Sequence, residues 1–512
     1  MRSRRPRLPA GRHFAVTWSI PDDFGGMTEA MFRRSRAFDE VCATPVDVLT
    51  FDTRPDYPDL EERLRGDGTL SRGIRIINLY DWLRENELPR SKASSPAPAA
   101  DAALRTDAET TARVRAGAVM SRLHHDAHGR VLQVDHFRRD GSLLLTDRRD
   151  VRRRGEPGGR RLVLYDGQGR PVRSWRRAWH LYTDWLDALT AERQSFFIVD
   201  SKTTAAFMAE YRRRHVVTAH LVHGAHRDAA GVVKASRRAA LERADQFDVV
   251  AVLSRAQARD LRQDVGPSAL ITVVSNPHPG GHARDPGARA AARGIVIASL
   301  TRRKRVSHAI AAVRMASTRS AAAISLDVYG DGESRAALAR SIRDDADIRL
   351  HGHVPHARKK LRDASFALFT AHSEGFPLAL VEAMAAGCVP IAYDIDYGPA
   401  EIIRHRRNGY LVSAGNVEGL ADAITEFVAL PEWRRRRLRT RAIRATRGFT
   451  DEAVCAQWAT ALELALLRRA LQQSPAARAL VRRWPRLRAA PALTLRPAAS
   501  VLRWLSSALV RP

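Results

Sequence analysis

The chain has 512 residues, 45% of them hydrophobic and 28% charged, which excludes global disorder and, at roughly 150 residues per domain, argues for two or three domains. Lysine and arginine number 85 against 56 acids, a net charge of +29 that suits phosphate-bearing, membrane or nucleic-acid partners and leaves the fold open. The three cysteines, Cys42, Cys388 and Cys455, are too scattered for a metal site or disulfide framework, which fits a reducing cytoplasm; no apolar run approaches the roughly 18–20 residues that span a bilayer.

After a basic start (Arg2, Arg4, Arg5, Arg7), residues 14–20 are too short and polar-interrupted for a signal peptide and read as a first strand. Gly25-Gly26 follows, then a helical stretch over 28–38 with Ala30, Met31, Arg34 and Phe38 at helical spacing, then an apolar strand over 46–51. Strand, glycine loop, helix and strand open a doubly wound α/β unit. Residues 91–100 are a low-complexity linker. Over 119–175 short alternating runs are punctuated by Asp126-Ala127-His128-Gly129, Asp140-Gly141 and Asp166-Gly167-Gln168-Gly169, which predicts an antiparallel β meander. Strands resume at 196–200, 216–223 and 247–253, and a Pro/Gly-rich stretch at 277–286 reads as an interdomain linker. A second α/β unit has strands at 294–298, 324–329, 348–351, 366–370 and 389–393 with helices between, the pattern of a parallel sheet. From about 462 the chain is arginine-rich, broken by Pro485, Pro491, Pro497 and Pro512, with Trp484, Leu487, Trp504 and Leu505 among the arginines. This reads either as a basic interfacial segment for an anionic membrane or as a tail of biased composition. The expected organisation is a first Rossmann-like part at 1–85, linker and β-rich insertion at 86–178, its second part at 179–290, a second Rossmann-like domain at 291–462 and a basic tail at 463–512.

The most informative stretch is Ser373-Glu374-Gly375-Phe376-Pro377-Leu378-Ala379-Leu380-Val381-Glu382-Ala383-Met384-Ala385-Ala386-Gly387. A turn follows the strand ending at Thr370, Pro377 suits the first helical position, and Gly387 suits the helix end. A helix N-terminus then lies at the carboxyl edge of a parallel sheet, where open α/β sheets bind phosphates. Glu382 projects from the second turn, where a carboxylate can accept bonds from vicinal hydroxyls such as those of a ribose.

This Glu-x7-Glu signature resembles that of retaining family-4 glycosyltransferases of the GT-B fold. Tyr393-Asp394-Ile395-Asp396-Tyr397-Gly398-Pro399-Ala400-Glu401-Ile402-Ile403, then Asn408-Gly409-Tyr410-Leu411-Val412, is similar to the branch that glycosylates wall teichoic acid, the poly(polyol phosphate) α-glycosyltransferases. That branch also includes enzymes that start glycosylation of serine-rich adhesins. The resemblance extends to the Asp22-Asp23-Phe24-Gly25-Gly26 loop and the β-rich insertion.

The resemblance implies an α/β GT-B architecture, two Rossmann-like domains facing a cleft, with UDP-sugar as donor and no cofactor. Glu382 would hold the ribose and Glu374 would lie near the donor sugar. The amides of Gly375, Phe376 and Leu378 would cap the diphosphate, as would Lys304. An arginine five residues before that lysine is usual in the family; here the position is Ser299, so Arg302 or Arg303 must compensate or donor affinity falls. In isolation, Thr301-Arg302-Arg303-Lys304-Arg305 would be a solvated basic loop. In His220-Leu221-Val222-His223-Gly224-Ala225-His226, His220 and His223 are the first candidates to face sugar and acceptor, and His226 the third; the plain alternative is a core histidine. Gly25 and Gly26 would let backbone approach the diphosphate and acceptor, and the main chain at His353 would read the uracil. Asp394-Ile395-Asp396 imitates a metal motif of another fold, but in its tyrosine-glycine-proline context no metal site is expected.

The implied reaction is transfer of glucose or N-acetylglucosamine, with retention, to a hydroxyl of a polyanionic cell-wall polymer by a cytoplasmic enzyme, with peripheral membrane contact through the tail. The exposed edges of the β-rich insertion would suit self-association. Two alternatives stand beside it: a same-fold enzyme acting on a protein or lipid-linked glycan, and a non-catalytic basic protein holding polyanions or membrane. Specific nucleic-acid binding is not expected, because aromatics are 6% and form no stacking stripe.

Overall fold

The computed structural model describes residues 5–89, 109–228, 230–278 and 289–473. The linker expected at 91–100, most of that at 277–286, and the tail beyond 473 lie outside the described residues. The described elements up to Glu463 form one compact unit.

Parallel strands covered by helices on both faces must be apolar throughout, and this is why the core strands were recognisable as continuous runs. The first sheet contains β1 (Arg12–Val16), β2 (Val46–Thr50) and β3 (Ile74–Asn78). Six strands, β4 (Glu109–Arg115), β5 (Ala118–His125), β6 (Val131–Phe137), β7 (Leu143–Arg148), β8 (Arg161–Tyr165) and β9 (Pro171–Trp175), then interrupt it. It resumes with β10 (Ser195–Val199), β11 (Val216–Val222), β12 (Val249–Val252) and β13 (Ile271–Val273). Its order is β13-β12-β11-β10-β1-β2-β3, all parallel. The second parallel sheet, β16-β15-β14-β17-β18-β19, is built from β14 (Arg293–Ile297), β15 (Ser325–Tyr329), β16 (Ile348–Gly352), β17 (Phe366–Phe369), β18 (Val389–Asp394) and β19 (Tyr410–Ser413).

The inserted strands form an antiparallel meander in chain order. Its Asp-containing turns work as their chemistry predicts. Asp126 Oδ1 accepts from the amides of His128 and Arg130 at 2.9 and 2.8 Å, and Gly129 takes φ 73°. Asp166 repeats the device with Gln168 and Arg170, with Gly169 at φ 74°. Leu144, Leu145, Leu162 and Trp175 of the meander join the core of the first domain with Phe14, Phe197 and Trp185.

Three differences from the sequence reading stand out. The first strand ends at Val16, short of Ile20, because the chain turns there to let the Trp18 carbonyl accept from Phe51 and Asp52. β3, β4, β13 and β19 are not among the expected strands; β13 and β19 have three and four residues, too few to show a period. The third concerns the end of the segment expected at 291–462, which does not pack on the second sheet alone. The helix Asp451–Gln473 returns to the first domain, where Trp458 packs edge-on to Phe38 and Cys455 lies against the carbonyl of Ala37.

Candidate active site

The loop after β17 and the helix Leu378–Ala385 hold the signature carboxylates. Thr370 Oγ1 donates to the carbonyls of Lys304 and Arg305, both at 2.9 Å, which ties this loop to the basic one after β14. Glu374 is ion-paired with Lys304 and lies 3.4 Å from Arg303, whose guanidinium also donates to the Ser373 carbonyl at 2.8 Å. Of the two arginines considered as substitutes for the missing one, Arg303 therefore reaches the loop. Ser299 is exposed.

Pro377 is not the first helical residue; it caps the helix, at φ −84° and ψ 75°. That conformation is an inverse γ-turn, in which the Leu378 amide donates to the Phe376 carbonyl at 3.0 Å. The Leu378 amide is thus already engaged, contrary to its expected role at the diphosphate. Among the described residues the amides of Gly375 and Phe376 donate to no protein group, so these two remain available to an anion.

Gly375 is also where the halves meet. A Cβ there would stand 1.9 Å from the His223 carbonyl oxygen and 2.5 Å from Gly224 Cα. No other residue allows the signature loop to lie this close to the end of β11. The Tyr-Asp-x-x-Tyr-Gly-Pro-x-Glu stretch adds two more ties. Tyr397 donates to Asp260 at 2.8 Å and stacks on His226, and Glu401 accepts from the amides of Arg255 and Ala256 at 2.9 and 2.7 Å, capping the helix Arg255–Val265.

Glu382 is only 7% exposed and lies between two guanidiniums. Arg33, from the helix Gly26–Cys42 of the first domain, reaches Oε1 at 2.7 Å, and Arg358 reaches Oε2 at 2.8 Å. Glu29 bridges the same arginines at 2.9 and 2.7 Å. Arg358 sits on the turn that follows His353, and His353 itself is exposed on the loop after β16. Gly25 caps the helix that carries Arg33, and both Gly25 and Gly26 are exposed with open space where a Cβ would be.

The three histidines separate cleanly. His220 is buried in the sheet, its Nδ1 bonded to the Val199 carbonyl at 2.9 Å and its ring against Phe247. Burial pushes its pKa down to about 4. It is a core histidine, the plain alternative considered for it, which leaves His223 as the other first candidate. His226 bonds Asp264 at 3.0 Å and belongs to the Tyr397 contact. His223 directs Nε2 to Asp200 Oδ1 at 2.7 Å, and Asp200 takes both ends of Arg34 at 2.7 and 2.8 Å. Burial alone would raise the Asp200 carboxyl. The Arg34 charge, its two bonds and the His223 bond outweigh burial and hold the carboxyl down to about 2. The arrangement fixes the His223 ring through Nε2 and leaves Nδ1 as the atom able to meet a ligand.

Sequence reasoning missed Arg33, Arg34, Arg358 and Asp200. Arg34 carried a signal, since it sat among apolar residues at helical spacing; Asp200 closed an apolar strand. Arg33 and Arg358 carried none.

Residues 293–447 match the family described as glycosyl transferases group 1. The chain is 21% identical over 464 residues to the poly(ribitol-phosphate) alpha-N-acetylglucosaminyltransferase of Staphylococcus aureus (strain COL), spanning 81% of this chain and 92% of that protein. It is 20% identical over 477 residues to the poly(glycerol-phosphate) alpha-glucosyltransferase of Bacillus subtilis (strain 168), spanning 82% and 70%. Its fold matches a crystal structure of an S. aureus TarM mutant in complex with fondaparinux, alpha-GlcNAc-glycerol and UDP, with TM-score 0.66 and 19% identity over 89% of this chain and all of that one. Residues 293–447 thus form a glycosyl transferase group 1 domain, and the described residues together have the GT-B fold.

Proposed function

We propose that this protein is a retaining glycosyltransferase that moves glucose or N-acetylglucosamine from a UDP-sugar to a hydroxyl of a polyol-phosphate polymer. The observation that carries the reading is one cluster at the carboxyl end of the second sheet. It joins two uncommitted amides (Gly375, Phe376), the Lys304–Arg303 pair and the carboxylates Glu374 and Glu382, with His223 against it from the first domain. The names of the two polymer-modifying relatives and the net charge of +29 support the polyanionic acceptor.

The residues divide the work by their chemistry. The amides of Gly375 and Phe376, with Lys304 and Arg303, meet the diphosphate and stabilise charge on its β-phosphate as the sugar C1–O bond breaks. Glu382 accepts the ribose hydroxyls, exchanging Arg33 for them. The acceptor hydroxyl forms its bond to C1 on the face the diphosphate leaves, and its proton departs on the diphosphate oxygen. Glu374 is tied by Lys304 and Arg303, so it acts as a positioned charge beside the donor sugar and not as a nucleophile. The same cations make a metal unnecessary, and the enzyme works mainly by positioning. No helix among the described residues is long and apolar enough to cross a membrane, and we place the enzyme at the inner face of the membrane, where nucleotide-sugars and nascent polymer meet.

Calorimetric titration of UDP into the protein and into Glu382→Ala tests the reading. Binding in the micromolar range that is lost in the variant, followed by an α-linked product in NMR of the modified polymer, is expected. A wild-type protein that binds no UDP overturns it.

A further inference from the structure

The helix Glu432–Ala445 reads Glu-Trp-Arg-Arg-Arg-Arg-Leu-Arg-Thr-Arg-Ala-Ile-Arg-Ala. Leu438, Ala442 and Ile443 face inward, and Leu438 joins the core of the second domain. Its one acid, Glu432, is taken by Arg435 at 3.0 Å and by the buried Arg439. The opposite face carries Arg434, Arg437, Arg441 and Arg444, at i, i+3, i+7 and i+10, a stripe about 15 Å long at 1.5 Å per residue. Arg434, Arg437 and Arg444 are exposed, Arg441 is half-buried, and none has an acidic partner among the described residues.

Such a face works against its own helix. Like charges one turn apart repel, and cations in the first turns oppose the helix dipole. No acid among the described residues pairs with these four arginines, and residues 474–512 contain eight arginines and no acid. The stripe also leads somewhere. The helix passes into the turn Thr446–Phe449, and Phe449 packs at 5.4 Å against Phe376, next to Gly375 of the signature loop.

We infer that Arg434, Arg437, Arg441 and Arg444 form a docking surface for the phosphate backbone of the polymer acceptor, holding repeat units remote from the one that receives the sugar. This rests on the function proposed above. A linear polyanion fits better than a bilayer, because Trp433 is the single large apolar side chain exposed on this helix and Arg434 lies over its ring at 5.0 Å. Binding at a remote surface lets a long acceptor bind far better than its monomer without altering the chemistry at the cleft.

The test compares the variant Arg437→Gln/Arg441→Gln/Arg444→Gln with a control of equal charge loss, Arg139→Gln/Arg176→Gln/Arg193→Gln, at exposed positions of the first half of the chain. Binding to poly(glycerol phosphate) is measured across a salt series, with UDP affinity measured in parallel. The stripe variant is expected to bind the polymer about tenfold or more weakly, with a log–log salt slope smaller by about one for each phosphate no longer neutralised, and to bind UDP as the wild type does. Equal polymer binding by stripe and control variants overturns the inference. So does loss of binding to phosphatidylglycerol vesicles with polymer binding intact, which makes the face a membrane surface. A wild type that binds the polymer through the stripe and transfers no sugar to it refutes the proposed function and leaves the docking surface standing.

Discussion

Replacing Asp200 by asparagine removes the charge at the centre of the Arg34–Asp200–His223 chain. Asp200 and Arg34 are 0% and 2% exposed at their side chains, so neither is screened by solvent. A carboxyl held at about 2 instead of 3.8 contributes about 2 kcal/mol of folding stability at neutral pH. Substitution costs more than that linkage figure, because it also strands the Arg34 charge in the core; loss of one partner of a buried pair costs about 3–5 kcal/mol. Urea unfolding of Asp200→Asn, Arg34→Met and the double variant measures both parts. Each single variant is expected to lose about 3–5 kcal/mol, and the double variant much less than their sum. Because the folded pKa is depressed, the advantage of the wild type over Asp200→Asn is constant above about pH 5 and shrinks as pH falls through 3.8 toward 2 and below. Transfer activity falls with the variant, since the His223 ring loses its anchor. A loss below about 1 kcal/mol, or additive single effects, would refute the assignment of a buried, functional charge pair.

Two further outcomes follow from the packing of one half against the other. Gly375→Ala must push the signature loop off the His223 carbonyl; a displacement near 1 Å at a reacting site costs about a hundredfold in rate, so kcat/KM for transfer should fall at least that far, and an unaltered rate would show that this close approach is not needed. Arg33→Met frees one oxygen of Glu382 from its partner across the cleft, so UDP should bind about tenfold more tightly by calorimetry, the worth of one charged hydrogen bond; unchanged or weaker binding would show that Arg33 and the ribose do not compete.

Much of the architecture was legible because its signals are local. A fully buried strand such as β11 announces itself as an apolar run, and an Asp two residues before an amide it can accept from announces a hairpin turn. The signature helix was equally clear, with Glu382 in its second turn and Gly387 at φ 76° just past its end. What escaped depends on single-residue offsets or on distant segments. The apolar pattern places the end of β11 only to within a residue or two, and that uncertainty decides whether His220 or His223 faces outward. Pro377 satisfied the rule for a first helical residue, yet the γ-turn it makes consumes the Leu378 amide. Arg33 meets Glu382, and Cys455 meets the Ala37 carbonyl, only because the chain folds back across hundreds of residues.

The return of the last described helix to the first domain has a consequence for biosynthesis. Trp458 covers Phe38, and Arg34 lies over the same indole at 5.5 Å, so the outer side of the helix Gly26–Cys42 is finished by residues made only after the whole second sheet. The first domain emerges from the ribosome with that surface bare and stays incomplete while the second domain is synthesised. The nascent chain therefore has a long interval in which an apolar helix face is open to chaperones, and its two halves acquire their final stability together.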